Sequence, residues 1–390
     1  MNLHRIVYRC MAFSLSLALL AGCWDRKETD DLALVMAGGL DLTEDGKLES
    51  TLQIALPTGI PGAIQSGGKA KRSVIVVSAE GKDSTSNLDR LQQQLSRRIF
   101  LGHRGVIVFG ENFARHGFDQ VLDTLMRGPE SRYNSFIVTA YGATAKEILN
   151  TPYELEPIPA IGMNKIQSGH FSVGVKIDEF LHALASNGQA PVTAGIRIIN
   201  KGSGNEIFVM DKAAVYNGIK LAGFLSGMDL KVFRMMIGDL DGMKLTTQLE
   251  PPKKEFNGIV SSQLLQVKAK IQTEMKGGAP AVTISVKVRA RIISNNTRLD
   301  MSKPQSLNLL QKKYADDLKK AFAKTVKLAQ TKYKADIFGI GRELHIQHPG
   351  AWNKLKNQWK TIYPKVPVQI KTEFEIERIG RTQAPAHLQK

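Results

Sequence analysis

Residues 265–292 read LQVKAKIQTEMKGGAPAVTISVKVRARI, and the period of that stretch decides the fold of the last third of the chain. Leu265, Val267, Ala269 and Ile271 alternate with polar residues, and so do Ile284, Val286, Val288, Ala290 and Ile292. Strand side chains point to opposite faces in turn, so the pattern gives each strand one apolar and one wet face. Gly277-Gly278-Ala279-Pro280 lies between the runs and makes them an antiparallel hairpin. Downstream, Leu307, Leu310, Tyr314, Leu318, Phe322, Val326, Ala329 and Tyr333 recur at the spacing of one buried helical stripe. Lys312, Lys313, Lys319, Lys320, Lys324 and Lys327 lie off that stripe. A last alternating strand runs through Val368, Ile370, Thr372, Phe374 and Ile376. One apolar face buries another, so the expected unit is a long amphipathic helix packed on an antiparallel sheet.

Upstream the pattern is mixed. Residues 32–37 and 47–56 read as strands joined at Asp45-Gly46, and 57–72 reads as a loop. Strand-like runs follow at 73–78, 105–109 and 135–141. Leu88, Leu91, Leu95 and Ile99 mark a helix with N-caps on offer at 84–87. Phe118, Val121, Leu122 and Leu125 mark another, stopped by Gly128-Pro129. A short helix at 145–149 leads into a Pro- and Gly-rich stretch, 151–168, that reads as a crossing loop. Then come a helix at 177–185, strands at 192–199, 207–210, 212–216 and 220–224, a turn at Asn217-Gly218, a helix at 227–236 and a linker at 250–255. The expected class is α/β (α+β) with three mixed-sheet domains. They are an N-terminal α/β domain at 23–200, a small middle domain at 201–255 and a basic α+β domain at 256–380, between a signal peptide at 1–22 and a tail at 381–390.

The first residues carry Arg5 and Arg9 and no acid, then an apolar run at 10–21. That run is shorter than the roughly 20 residues a spanning helix needs, and the ensemble has the form of a signal peptide. Leu20-Ala21-Gly22-Cys23 resembles the lipobox of bacterial lipoproteins. The resemblance implies cleavage between Gly22 and Cys23, an S-diacylglycerol on the Cys23 thiol and an N-acyl chain on its freed amine. The chain has two cysteines, and Cys10 falls in the removed segment. Cys23 alone remains, which excludes an intramolecular disulfide, a thiol nucleophile and a cysteine zinc site.

With 43% hydrophobic residues the chain can bury real cores. The net charge is +17, and residues 256–390 hold 25 of the 53 basic residues against 9 of the 36 acids. Such asymmetry points to an acidic partner, either anionic lipid head groups or an acidic protein face, or to a merely solvated basic surface. Export argues against nucleic acid.

Four stretches then resemble the Ger(x)C spore germination lipoproteins, the C subunits of nutrient germinant receptors. They are Gly22-Cys-Trp-Asp-Arg-Lys-Glu28 with Asp31-Leu-Ala33, and Gly105-Val-Ile-Val-Phe-Gly-Glu-Asn-Phe-Ala-Arg-His-Gly117 with Leu125-Met-Arg-Gly-Pro-Glu-Ser-Arg132. The others are Ala214-Val-Tyr-Asn-Gly-Ile-Lys-Leu-Ala-Gly-Phe-Leu225, and Lys334-Ala-Asp-Ile-Phe-Gly-Ile-Gly-Arg-Glu-Leu344 with Pro349, Trp352 and Trp359. Each alone is a weak signal; the ordered set is specific. The resemblance implies three α/β domains and a lipoprotein on the outer face of the spore's inner membrane. Its partners there would be two integral membrane subunits, A and B, with no enzymatic activity of its own. A cysteine frequent in the family's C-terminal helix is absent here, so packing rather than chemistry is expected at that position.

Other candidates weigh less. Gly339-Ile-Gly341 lacks the third glycine and the βαβ context of a nucleotide loop and reads as a helix C-terminal turn, with a structural role for 336–341. His345 and His348 could share a helix face, but a zinc site needs three or four ligands, and His103, His116, His170 and His182 show no metal spacing. Glu154 and Glu156 sit beside prolines in a loop and read as solvated. Trp352 and Trp359 align on a helix at 349–362 and read as core. The alternative there is a lipid-facing aromatic surface with Lys354, Lys356 and Lys360. No catalytic set, cofactor or metal is expected. The rival classes are a solute-binding lipoprotein of a transporter, which needs two similar lobes, and an envelope hydrolase, which needs a convergent acid–base or metal set.

Overall fold

A computed structural model describes residues 6–8, 11, 29–56, 72–127, 133–249 and 258–380. Cys23, most of the expected signal peptide, the first motif up to Glu28, the loop at 57–71, the Gly128-Pro129 stop, the linker at 250–255 and the tail at 381–390 lie outside them.

The chain opens with β1 (Leu32–Leu42) and β2 (Leu48–Ala55), a hairpin whose turn holds Gly46 at φ +77. After β3 (Val74–Gly81), Asp83 caps α1 (Ser84–Gln93) by accepting from the Ser86 N–H at 2.8 Å. β4 (Arg98–Phe100), β5 (Val106–Phe109), α2 (Glu111–His116) and α3 (Asp119–Arg127) follow. Next are β6 (Phe136–Ala140), α4 (Ala145–Asn150), α5 (Pro159–Ser168), α6 (Ile177–Ala185) and β7 (Val192–Ile199). β8 (Ile207–Asn217), β9 (Lys220–Ser226) and α7 (Gly227–Met236) close this part.

These strands form one sheet in the order β3-β2-β1-β5-β6-β7-β8-β9, with β4 beside the start of β1. Its centre is parallel and its flanks are antiparallel hairpins. A central parallel strand is buried on both faces. Val106 and Val108 of β5 accordingly meet Ile148 and Met163 under α4 and α5, while Ile107 and Phe109 meet Phe113, Val121 and Phe180 under α2, α3 and α6.

The second sheet takes β10 (Lys244–Leu249), β11 (Gly258–Lys276), β12 (Ala279–Asn295) and β13 (Val368–Arg378), in that order. α8 (Pro304–Leu328) lies on it and buries Leu310, Tyr314, Leu318, Phe322 and Val326, as its stripe requires. Tyr314 stacks on Phe374 of β13 at 4.4 Å and donates to the Val260 carbonyl of β11 at 2.7 Å. A π-turn at Ala329–Tyr333, α9 (Ile340–Gln347), α10 (Pro349–Leu355) and α11 (Trp359–Ile362) lead back to β13.

The mixed α/β class with a long helix on the last sheet is what the sequence leads one to expect. Several details differ. Among the described residues there are two sheets, not three. Residues 201–255 divide between them, since β8 and β9 extend the first sheet and β10 opens the second. The last sheet is mixed rather than antiparallel, because β13 pairs parallel to β12. The chain reaches β13 through helices, and a helical crossover returns a strand in the same direction. Leu265 is exposed, and Leu264 is buried instead. A β-bulge between Leu264 and Gln266 inverts the alternation along β11.

The hairpin turn is Gly277-Gly278 alone, both with positive φ, and Ala279 and Pro280 already belong to β12. Residues 151–168 are not all loop, because Pro159 opens α5 at a position where its missing N–H costs nothing. α1 ends at Gln93, so Leu95 lies beyond it and Ile99 belongs to β4, paired with Ala33 of β1. A 3-10 turn at Lys356–Gln358 breaks the expected helix at 349–362.

Candidate functional site

The two sheets are joined where the third and fourth sequence motifs meet. The π-turn at the end of α8 carries Tyr333 to the edge of the first sheet, where its hydroxyl donates to the Phe224 carbonyl at 2.8 Å. A Cβ at Gly223 would come within 2.6 Å of the Tyr333 ring, so only glycine lets strand and ring approach this closely. Lys334 then takes a left-handed conformation at φ +49 and turns the chain into Asp336.

Asp336 is the hub. Its carboxylate accepts from the Ile340 N–H at 2.9 Å, the Gly341 N–H at 2.8 Å and the Trp359 indole N–H at 3.0 Å. It thereby satisfies the open N–H groups of the first turn of α9. Its backbone carbonyl accepts from the Ala190 N–H at 2.8 Å, and the Arg342 N–H donates to the Gly188 carbonyl at 3.0 Å. Gly188 and Gly341 lie backbone against backbone. A Cβ on Gly188 would fall 2.6 Å from the Arg342 nitrogen, and one on Gly341 2.6 Å from both the Gly188 Cα and the Trp359 Nε1. Gly339-Ile-Gly341 therefore starts a helix, with Gly339 at φ +71 as its N-cap, rather than ending one. Burial raises the Asp336 carboxyl to about 6, opposed by the N–H groups it accepts from. Burial and that carboxylate push the Tyr363 phenol well up.

Trp352 and Trp359 are both buried and meet edge to face at 5.4 Å. The core reading holds for them, and they are not available to a lipid surface. His345 is exposed and stacks on Trp352 at 6.0 Å. His348 Nε2 lies 2.8 Å from the Thr273 carbonyl, and Gln347 accepts from the Thr273 N–H at 2.8 Å and donates to the Ile271 carbonyl at 2.8 Å. These two side chains cover the edge of β11 past the end of β10, where open strand groups would otherwise be exposed. Among the described residues no group of three or more His, Cys, Asp or Glu could hold a metal ion. Glu156 pairs with Lys165 at 2.5 Å.

The second motif meets the third inside the first sheet. Phe118, just past that motif, packs between Phe109 and Tyr216, and the Tyr216 hydroxyl lies 2.6 Å from Thr139 Oγ1. Beside Phe109, at the end of β1, the Asp41 carboxylate accepts from the Ala145 N–H at 2.8 Å and the Lys146 N–H at 3.0 Å, with Gly110 against it. Burial raises Asp41 to about 6. Clefts lie beside these contacts. One of about 710 Å³ opens between α6, α7 and the junction, lined by His170, Asp178, Phe180, Asp239 and Arg342. The other, about 440 Å³, lies under α1 and α3 and is walled by Leu88, Ile99 and Val121 beside Arg104. Sequence reasoning missed Gly188, Asp41 and Gln347, because nothing in their neighbours marks contacts made across long stretches of chain.

A family profile described as "Spore germination protein N-terminal domain" matches residues 25–198, and one described as "Spore germination B3/ GerAC like, C-terminal" matches 211–380. The chain is 30% identical to Spore germination protein KC of Bacillus subtilis (strain 168), covering 95% of each chain. It is 24% identical to Spore germination protein B3 of the same organism, covering 93% of this chain and 96% of the other. Its fold is similar to that of the crystal structure of the GerBC protein, with a TM-score of 0.56 at 21% identity over 88% of this chain and 98% of that one. The junction built on Asp336 lies inside the second matched region and is bonded to Gly188 and Ala190 in the first.

Proposed function

The chain belongs to the spore germination B3/GerAC-like family, and from that premise we propose that it is the C subunit of a nutrient germinant receptor, noncatalytic and anchored by lipid at Cys23. In this reading Cys23 carries S-diacylglycerol and an N-acyl chain and holds the protein on the extracytoplasmic face of the membrane, in spores the outer surface of the inner membrane. Two acyl signals give stable anchoring where a single chain does not. No helix among the described residues is long and apolar enough to cross a membrane. The protein then docks on two integral membrane subunits and transmits or stabilises the nutrient-bound state.

The observation that carries the noncatalytic part is the use to which the motif residues are put. Asp336, Gly341 and Trp359 of the fourth motif serve chain-to-chain contacts, and Tyr216 and Gly223 of the third do the same. The motifs thus support a stiff coupling body, in which movement at one sheet is felt at the other. Two sheets of unlike size and order speak against the two similar lobes of a solute-binding lipoprotein. A tagged chain extracted in mild detergent from spore membranes should co-purify with two integral membrane proteins in fixed ratio. Recovery of the chain alone contradicts the assignment. A thermal-shift screen with nutrients should leave the isolated chain unmoved, and a saturable shift would favour the solute-binding reading.

A further inference from the structure

Resting on the lipid-anchor reading, we infer that the end of the first sheet at which its parallel strands begin faces the membrane, and that a lysine cluster there docks on anionic phospholipid. Strand direction identifies which parts share that end. Ala37 of β1 is level with Val106 of β5, Val106 with Phe136 of β6, and Val138 with Ala194 of β7. The chain enters β1 at Leu32, below that level. β8 runs back beside β7 with Val215 opposite Val192, so the Asn217-Gly218 turn lies at the same end. Four strand steps separate β1 from β8, roughly 19 Å at about 4.8 Å a step. Cys23 precedes Leu32 by nine positions, a reach of at most about 32 Å. The opposite end of β1 lies a full 11-residue strand further on.

Lysines of the C-terminal part border this near end. Lys334 and Lys360 border the same small cavity as Asn187, Pro191 and Gly218. A Cβ on Gly218 would lie 3.6 Å from Lys360 Nζ. Residues 327–335 hold three lysines and no acid, and residues 344–372 hold five lysines and no acid, whereas Lys324, further up α8, pairs with Asp229 beside the far end of β9. Lys327, Lys332, Lys334, Lys354, Lys360 and Lys365 are exposed and enter none of the ion pairs among the described residues. Four exposed acids, Asp30, Asp31, Asp178 and Glu179, share this end. At the opposite end Asp45, Glu49, Glu111 and Glu147 pair with Lys47, Lys146, Arg115 and Lys201, and Asp41 is buried, so the cations there are neutralised by partners.

The chemistry favours head groups over a protein face. The cations bordering the Asn217-Gly218 turn are lysines, with Arg97 and Arg98 exposed beside the start of β1; lysines are compact hydrated charges suited to a diffuse anionic layer, where a shaped carboxylate site would favour the planar fork of arginine. Trp352 and Trp359 are buried and take no part in the contact.

The test uses the mature chain with Cys23→Ser, which carries no lipid, so a failure of anchoring is read separately from Cys23→Ala spores. This protein should sediment with phosphatidylglycerol vesicles and not with phosphatidylcholine vesicles, and binding should fall between about 50 and about 300 mM salt. Lys332→Gln/Lys354→Gln/Lys360→Gln should weaken binding at least about tenfold. Lys47→Gln/Lys146→Gln/Lys201→Gln removes the same charge at the far end and should change it less than about twofold, with thermal melts showing that both variants fold. No preference for the anionic vesicle, an unaffected near-end variant, or equal loss from both sets overturns the inference. The first of these would hand the surface to an acidic protein.

Discussion

Asp336 is a carboxylate enclosed by three N–H donors and an aromatic wall, and its behaviour tests the junction residue by residue. Asp336→Ala leaves three buried donors without an acceptor and should cost about 3 kcal/mol or more in denaturant unfolding. A loss under about 1 kcal/mol would remove Asp336 as the hub. Gly341→Ala should destabilise comparably, because its Cβ meets the Gly188 backbone at 2.6 Å and that neighbour cannot rotate away. Both Asp336 and Asp41 are raised to about 6 by burial. In the unfolded chain an aspartate titrates near about 3.9, so between those values the folded chain holds protons that the unfolded chain has released. Their contribution to stability is full below the unfolded value and is lost as pH rises through 6. Carboxylates lowered by partners, such as Asp211 beside Arg197, act in the opposite sense only in the acid range. Thermal melts should therefore show a higher Tm near about pH 5.5 than near about pH 7.5. A lower Tm at the more acid pH contradicts the burial argument.

At the scale of elements, periodicity read the chain well wherever one face of an element is buried. α6 and β7 fall at the expected residues, and so does α7. The stripe of α8 is buried as read. What escaped was local geometry that breaks a period. The bulge in β11 exchanges Leu264 for Leu265 at the core, and alternation on either side of it is equally regular. Leu264→Ala should cost about 2–4 kcal/mol and Leu265→Ala under about 0.5 kcal/mol in urea unfolding. Equal losses would place the bulge elsewhere. The parallel pairing of β13 was also hidden, since an alternating strand looks the same in either direction and only the helical crossover decides. Pro159 disguised α5, because a proline marks a helix start as readily as a loop.

For the whole molecule, the sequence named the parts of the junction but not the junction. The motif at 334–344 and the motif at 214–225 were visible as similar to one family, yet their meeting through Tyr333, Gly223 and Asp336 rests on contacts more than 100 residues apart in sequence. Gly188, the partner of Gly341, sits in Ser186-Asn-Gly-Gln189, which reads as an ordinary turn. The structure gives these residues a single reason, which is to hold two unlike sheets as one body. The central claim, that this body works from the membrane by its lipid, is tested most directly at Cys23. Spores carrying Cys23→Ala in place of the parent chain should lose the protein from the inner-membrane fraction and lose their response to the nutrient, while germination by a receptor-independent trigger persists. Normal membrane content together with a normal nutrient response would contradict the account.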